Sequence, residues 1–83
     1  MYLHIGKDFS VNLKNVIGIF NIETLQNTKE YEKIIESLND NIIDISEKNK
    51  KTLILTVENG IKKGYISNIL SKTLEKRSKA NNI

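Results

Sequence analysis

Three lysines, Lys48, Lys50 and Lys51, fall within four positions and lead directly into the alternating segment "TLILTV". That places a compact set of cations at the mouth of a stiff strand. Lysine meets a phosphate as a flexible point charge, and each phosphate it neutralises releases condensed counterions. The chemistry on offer is therefore polyanion binding, and the competing reading is a solvated loop whose charges only confer solubility. Lys72 and Lys76 give a second basic surface, recurring with Lys79 at i, i+4, i+7 of a helical tail. Arg77 sits on the apolar edge of that tail, where arginine lays its stem over a core and makes an internal ion pair.

Catalytic chemistry finds little to work with. His4 is the single histidine and there is no cysteine, so no nucleophile can be paired with an oriented base. His4 lies between Leu3 and Ile5 in a strand-like segment and reads as a structural or interface residue. The four glycines are scattered and form no phosphate-cradling loop. Asp40 and Asp44 lack the ligand spacing of a calcium loop. The expectation is a protein that is not an enzyme, with no catalytic residue, no metal and no cofactor.

The elements that must carry the lysines divide unevenly in charge. The chain's net charge is +3, but residues 1–47 hold four lysines against eight acids, and residues 48–83 hold nine basic residues against Glu58 and Glu75. A basic face in the second half follows. At 83 residues the chain is one domain, 1–83, of a size that buries roughly 60–65% of its unfolded surface. With no cysteine to staple it, self-association would complete the core. The start "MYLHIG" lacks the charged and apolar regions of a signal peptide, and no apolar run approaches ~20 residues. The expectation is a soluble, cytoplasmic protein with no membrane partner.

The first half reads as β. Leu3 and Ile5 share a face, Gly6-Lys7-Asp8 is a turn, and Phe9, Val11 and Leu13 alternate with Ser10 and Asn12. In "NVIGIFNI", Val16, Phe20 and Ile22 fall on one side and Ile17 and Ile19 on the other, with Gly18 marking a bulge or a close approach. A helix capped by Asn27 then buries Tyr31, Ile34, Ile35 and Leu38, and Asn39-Asp40-Asn41 ends it. "IIDI" is a short strand. "TLILTV" turns at Asn59-Gly60 into "KKGYIS", and a helix runs from about Ser67 to Lys79. The order β-β-β-α-β-β-β-α predicts an α+β fold, a small mostly antiparallel sheet with two helices.

Residues 1–20, "MYLHIG" with "VIGIF", and the later "TV-N" (Thr56, Val57, Asn59) and "YIS--LS-TL-KR" (Tyr65 to Arg77) resemble the extracellular matrix regulatory proteins of the RemA/RemB family, the RemB branch more closely. The likeness covers most of the chain and is strongest over residues 1–23 and 51–77. It implies a bacterial, cytoplasmic, nucleoid-associated transcription regulator of biofilm-matrix genes, LytTR-like in fold. It also implies an octamer-like homo-oligomeric ring whose outside binds double-stranded DNA. On that resemblance Lys51 matches a family basic position before the "TLILTV"-like strand, with Lys50 and Lys48 beside it. Lys14 matches a second, ahead of the "VIGIF" strand, and Lys72 and Lys76 are further candidates.

The family's arginine pair is replaced here by lysines and Asn49, which removes the bidentate fork and leaves weaker contacts. Repetition around a ring would compensate through effective concentration, and a duplex that must bend favours A·T-rich sequence. No small-molecule substrate is implied. The apolar faces around Ile17, Ile19 and the first strand are the expected subunit interface, and the tail "KRSKANNI" is too short to expect a C-terminal arm. The alternative function is an oligomeric protein-interaction or scaffold subunit that does not touch DNA.

Overall fold

A computed structural model describes residues 1–80, and the last three residues of the tail lie outside it. Strands β1 (Tyr2–Gly6) and β2 (Phe9–Asn12) pair as an antiparallel hairpin, with Leu3 opposite Val11. Their alternation buries Leu3, Ile5 and Val11 on one face. A single 3-10 turn, Leu13–Asn15, follows. The Asn12 side chain caps it, accepting from the Lys14 N–H at 3.0 Å. It delivers the chain into β3 (Val16–Asn21).

Here the simple alternation fails. A regular strand would put Val16 on the same face as Phe20, yet Val16 and Ile19 pack into one core while Phe20 packs into the other. The cause is the register shift between Val16 and Gly18 opposite β5 (Thr52–Glu58). A bulge adds one residue to one strand, and one residue is enough to exchange the faces. Ile17, in the bulge, is left 57% exposed. A Cβ on Gly18 would stand 2.5 Å from Cε2 of the Phe20 ring, so any larger residue there would force that ring to move.

Among the described residues three α-helices form where two were expected. The addition is α1 (Ile22–Leu25), one turn capped by the Asn21 side chain, which accepts from the Glu23 N–H at 2.9 Å. Four residues are too few for a helical period to show against the preceding strand, which is why Ile22 reads as its continuation. Helix α2 (Lys29–Leu38) is capped by Thr28 rather than Asn27. The Thr28 hydroxyl accepts from the Tyr31 N–H at 3.2 Å and donates to the Leu25 carbonyl at 2.7 Å, so one side chain closes both helices. Asn39 and Asp40 end α2 in left-handed conformation, at φ 46° and 70°.

Strand β4 (Ile42–Asp44) pairs parallel with β6 (Ile61–Ser67), and β5 lies antiparallel to both β6 and β3, giving the order β3-β5-β6-β4. Asn59 and Gly60 turn β5 into β6 with φ of 53° and 78°, the positive angles the Asn-Gly pair supplies. Helix α3 (Ser71–Ala80) closes the described chain.

The sheet is covered on both faces. The β1–β2 hairpin and α3 cover one, where Leu3, Ile5, Val11, Ile45, Ile54 and Leu74 form a core. On the other, Tyr31 and Ile34 of α2 pack with Ile22, Leu53 and Ile66. Leu38, only 1% exposed, sits against Gly64, where a Cβ would meet its Cδ1 at 2.6 Å and that of Leu53 at 3.3 Å.

Gly64→Ala is therefore expected to cost about 1–3 kcal/mol by overpacking and Leu38→Ala about 2–5 kcal/mol by cavity formation. The double variant, in which the new methyl fills vacated space, should cost measurably less than the sum in urea denaturation. Strict additivity would show that the two side chains do not share this slot.

Candidate functional site

The lysine-rich loop is held at its strand entrance by backbone bonds on both sides. The Lys51 N–H donates to the Ser67 carbonyl at 2.9 Å, and the Lys51 carbonyl accepts from the Ile22 N–H at 3.0 Å. Lys51 is half-buried, while Lys48 and Lys50 are exposed. Upstream, the fully buried Ser46 donates its hydroxyl to Asp44 Oδ1 at 2.5 Å and its N–H to the same oxygen at 2.9 Å. The Ser46 carbonyl accepts from the Asn49 N–H at 3.1 Å, which closes a turn with Glu47 at φ 63°. A sequence of small and polar residues thus becomes a built loop, because its backbone groups find partners.

Tertiary structure brings Lys7 to the same place. The tip of the β1–β2 hairpin seats against the loop, with a Cβ on Gly6 lying 3.4 Å from Ile45 Cδ1 and 3.6 Å from Asn68 Oδ1. Lys7 Nζ then stands 3.6 Å from Glu47 Oε1, and Lys50 Nζ stands 3.9 Å from Asp44 Oδ2. Nothing in the local sequence distinguished Lys7 from an ordinary turn residue, and only the docking of the hairpin tip reveals it. Lys72 enters from α3, which begins just after the Ser67 that anchors Lys51.

Lys7, Lys48, Lys50 and Lys51 therefore share one end of the sheet with Asp44 and Glu47, and Lys72 stands in the first turn of α3, whose lead-in Ser67 and Ile69 hold at that end. An open hollow of about 440 Å³ lies there, lined by Ser46, Glu47, Lys48, Asn49 and Asn68.

The remaining basic residues lie elsewhere. Lys14 precedes Val16, which pairs with Thr56, whereas Lys51 precedes Thr52. At about 3.3 Å of rise per strand residue, Lys14 and Lys51 are roughly 17–20 Å apart at opposite ends of β5. Lys76 is exposed one helical turn beyond Lys72. Arg77 makes no ion pair among the described residues. It is exposed, and its Nη1 donates to the His4 carbonyl at 3.1 Å, tying α3 to β1. The His4 ring is structural, its Nε2 2.7 Å from the Lys7 carbonyl.

The expected interface residues also divide. Leu3, Ile5 and Ile19 are used within the chain's own core, while Met1, Tyr2 and Ile17 stay exposed near the 3-10 turn.

Asp44 is the one group here whose acidity is clearly displaced. The Ser46 hydroxyl, foremost, holds its carboxyl below the ordinary range. Partial burial opposes this, and the Ser46 N–H and the charges of Lys50 and Lys7 add to the lowering. A depressed carboxylate pKa contributes stability above the unfolded value, about 3.9, and loses it as pH falls through the folded value. Asp44→Asn should therefore be less stable than the parent in urea at pH 7, with the gap closing below about pH 4. A gap of constant size down to pH 2.5 would show that the charge on Asp44 is not what matters.

None of the described helices is long and apolar enough to cross a membrane. No family model matches the chain. It is similar to extracellular matrix regulatory protein B of Bacillus subtilis (strain 168), 29% identical over 85 aligned positions that take in 94% of this chain and 90% of that protein.

Proposed function

We propose that this chain is an extracellular matrix regulatory protein of the RemA/RemB family, RemB-like, acting as a DNA-binding transcription regulator. The observation that carries the reading is the similarity to a protein of that name over 94% of the chain and 90% of that protein. Lysines gathered at the end of the sheet support it. Lys48, Lys50 and Lys51 sit on a loop anchored by Lys51's two backbone bonds, and Lys72 comes to the same end on α3. These cations would neutralise backbone phosphates of a duplex, with Lys14 and Lys76 reaching others along its length.

In the same reading the fold is LytTR-like and the protein works as a homo-oligomeric ring. Lysines that bind weakly one at a time gain by repetition in fixed positions. Met1, Tyr2 and Ile17, exposed by 63%, 66% and 57%, supply apolar surface for subunit contacts.

A second reading rests on the carboxylates of Glu47 and Asp44, which stand against Lys7 and Lys50. A mixed-sign surface suits a protein-interaction or scaffold subunit as well as it suits a polyanion. Gel shift and fluorescence titration on a long A·T-rich duplex across a salt series separate the two. DNA binding should weaken steeply with salt, and Lys48→Gln/Lys51→Gln should lower the logarithmic salt slope by about 0.9 for each phosphate no longer neutralised. Salt-independent or undetectable binding at low salt would favour the scaffold. Sizing at micromolar concentration should show an assembly, and a clean monomer would remove the ring.

A further inference from the structure

Lys7 and Glu47 meet across two separate turns, and both turns are fixed. Lys7 has φ 46° and its carbonyl lies 2.7 Å from the His4 ring, while Glu47 has φ 63° inside the turn closed by Ser46 and Asn49. Their charges stand 3.6 Å apart at 49% and 68% side-chain exposure. Lys50 repeats the arrangement with Asp44, at 3.9 Å. Two cation–carboxylate pairs therefore stand on this loop, and Glu47 of the first also lines the hollow with Lys48, Asn49 and Asn68. A carboxylate oxygen facing an ammonium stands where a phosphate oxygen would be drawn, since both are anionic partners for the same cation.

We propose that Lys7 is a phosphate-contacting residue of this surface and that Glu47 is its intramolecular competitor, which a backbone phosphate must displace. The inference rests on the DNA-binding reading above and adds to it a residue and a device. Exposed ion pairs are weak, so displacement weakens binding by a factor of only about 1.5–5 at each site. One such factor is easily overcome. Multiplied across repeated protomers, it selects against short or sparsely charged ligands and favours a long duplex that engages many sites together. Displacement also alters the salt dependence. A phosphate taking Lys7 releases counterions from DNA, but the freed Glu47 draws a cation back, and the net slope is reduced.

The test is a salt-series titration of duplex DNA with the full chain, comparing the parent, Glu47→Gln, Lys7→Gln and the double variant. Glu47→Gln should bind about 1.5–5-fold tighter per engaged protomer and with a steeper salt slope. Lys7→Gln should bind more weakly, with a slope shallower by less than about 0.9 for each phosphate left without its lysine, because in the parent that contact is already offset by the cation Glu47 draws back. In the Lys7→Gln background the Glu47 substitution should lose most of its gain. An equal gain in both backgrounds would show Glu47 to be a plain repelling charge and would overturn the proposal. So would unchanged binding in both single variants while Lys48→Gln/Lys51→Gln loses affinity, a result that leaves the DNA-binding reading standing. Absence of any binding by the parent at low salt removes both.

Discussion

Two buried hydroxyls at one end of the sheet hold the rest together. Thr52 and Ser67 face each other across β5 and β6, and neither is exposed. The Thr52 hydroxyl donates to the Ile69 carbonyl at 2.6 Å, and the Ser67 hydroxyl donates to the Ile5 carbonyl at 2.5 Å while accepting from the Ile69 N–H at 3.0 Å. One pair of side chains thereby ties the sheet to the lead-in of α3 and to the β1–β2 hairpin. A buried carbonyl left without such a partner costs about 1–3 kcal/mol, which is a large share of what a domain this small has to spare. Lys51 lies beside Thr52, and its own N–H and carbonyl are both bonded, so the basic run enters β5 at a position held from both sides.

The two-sided sheet follows from the same strand. In β5, Leu53 and Leu55 serve the core beneath α2, while Ile54 serves the core beneath the hairpin and α3. A strand buried on both faces must sit centrally, and β5 does, between β3 and β6. The edge strand β3 is more compromised. Its bulge sends Ile17 outward and twists the edge, a device that limits uncontrolled edge pairing.

Charge at the lysine end is mixed rather than one-sided, because Glu47 stands against Lys7 and Asp44 against Lys50. Such a surface holds little long-range potential and acts through close contacts that salt screens readily. In the proposed reading this suits a protein that relies on repetition, since affinity then rises with the number of engaged subunits and falls sharply when assembly fails.

Element types were legible in the sequence wherever a period ran long enough to be read. The alternation of "TLILTV", the stripe Tyr31, Ile34, Ile35, Leu38 and the Asn59-Gly60 turn each encode their structure locally, through pleat, helical pitch and positive φ. The lysine run before β5 was legible for the same reason. Gly18 marked the bulge in the sequence, but tertiary structure alone decided that Val16 and Phe20 would part to opposite faces there, because that exchange depends on the partner strand's register. It alone separated Lys14 from Lys51, placed Arg77 on the His4 carbonyl and brought Lys7 to Glu47. Those outcomes depend on which distant segments share an end of the sheet, and chain order carries no record of that until the layers have packed.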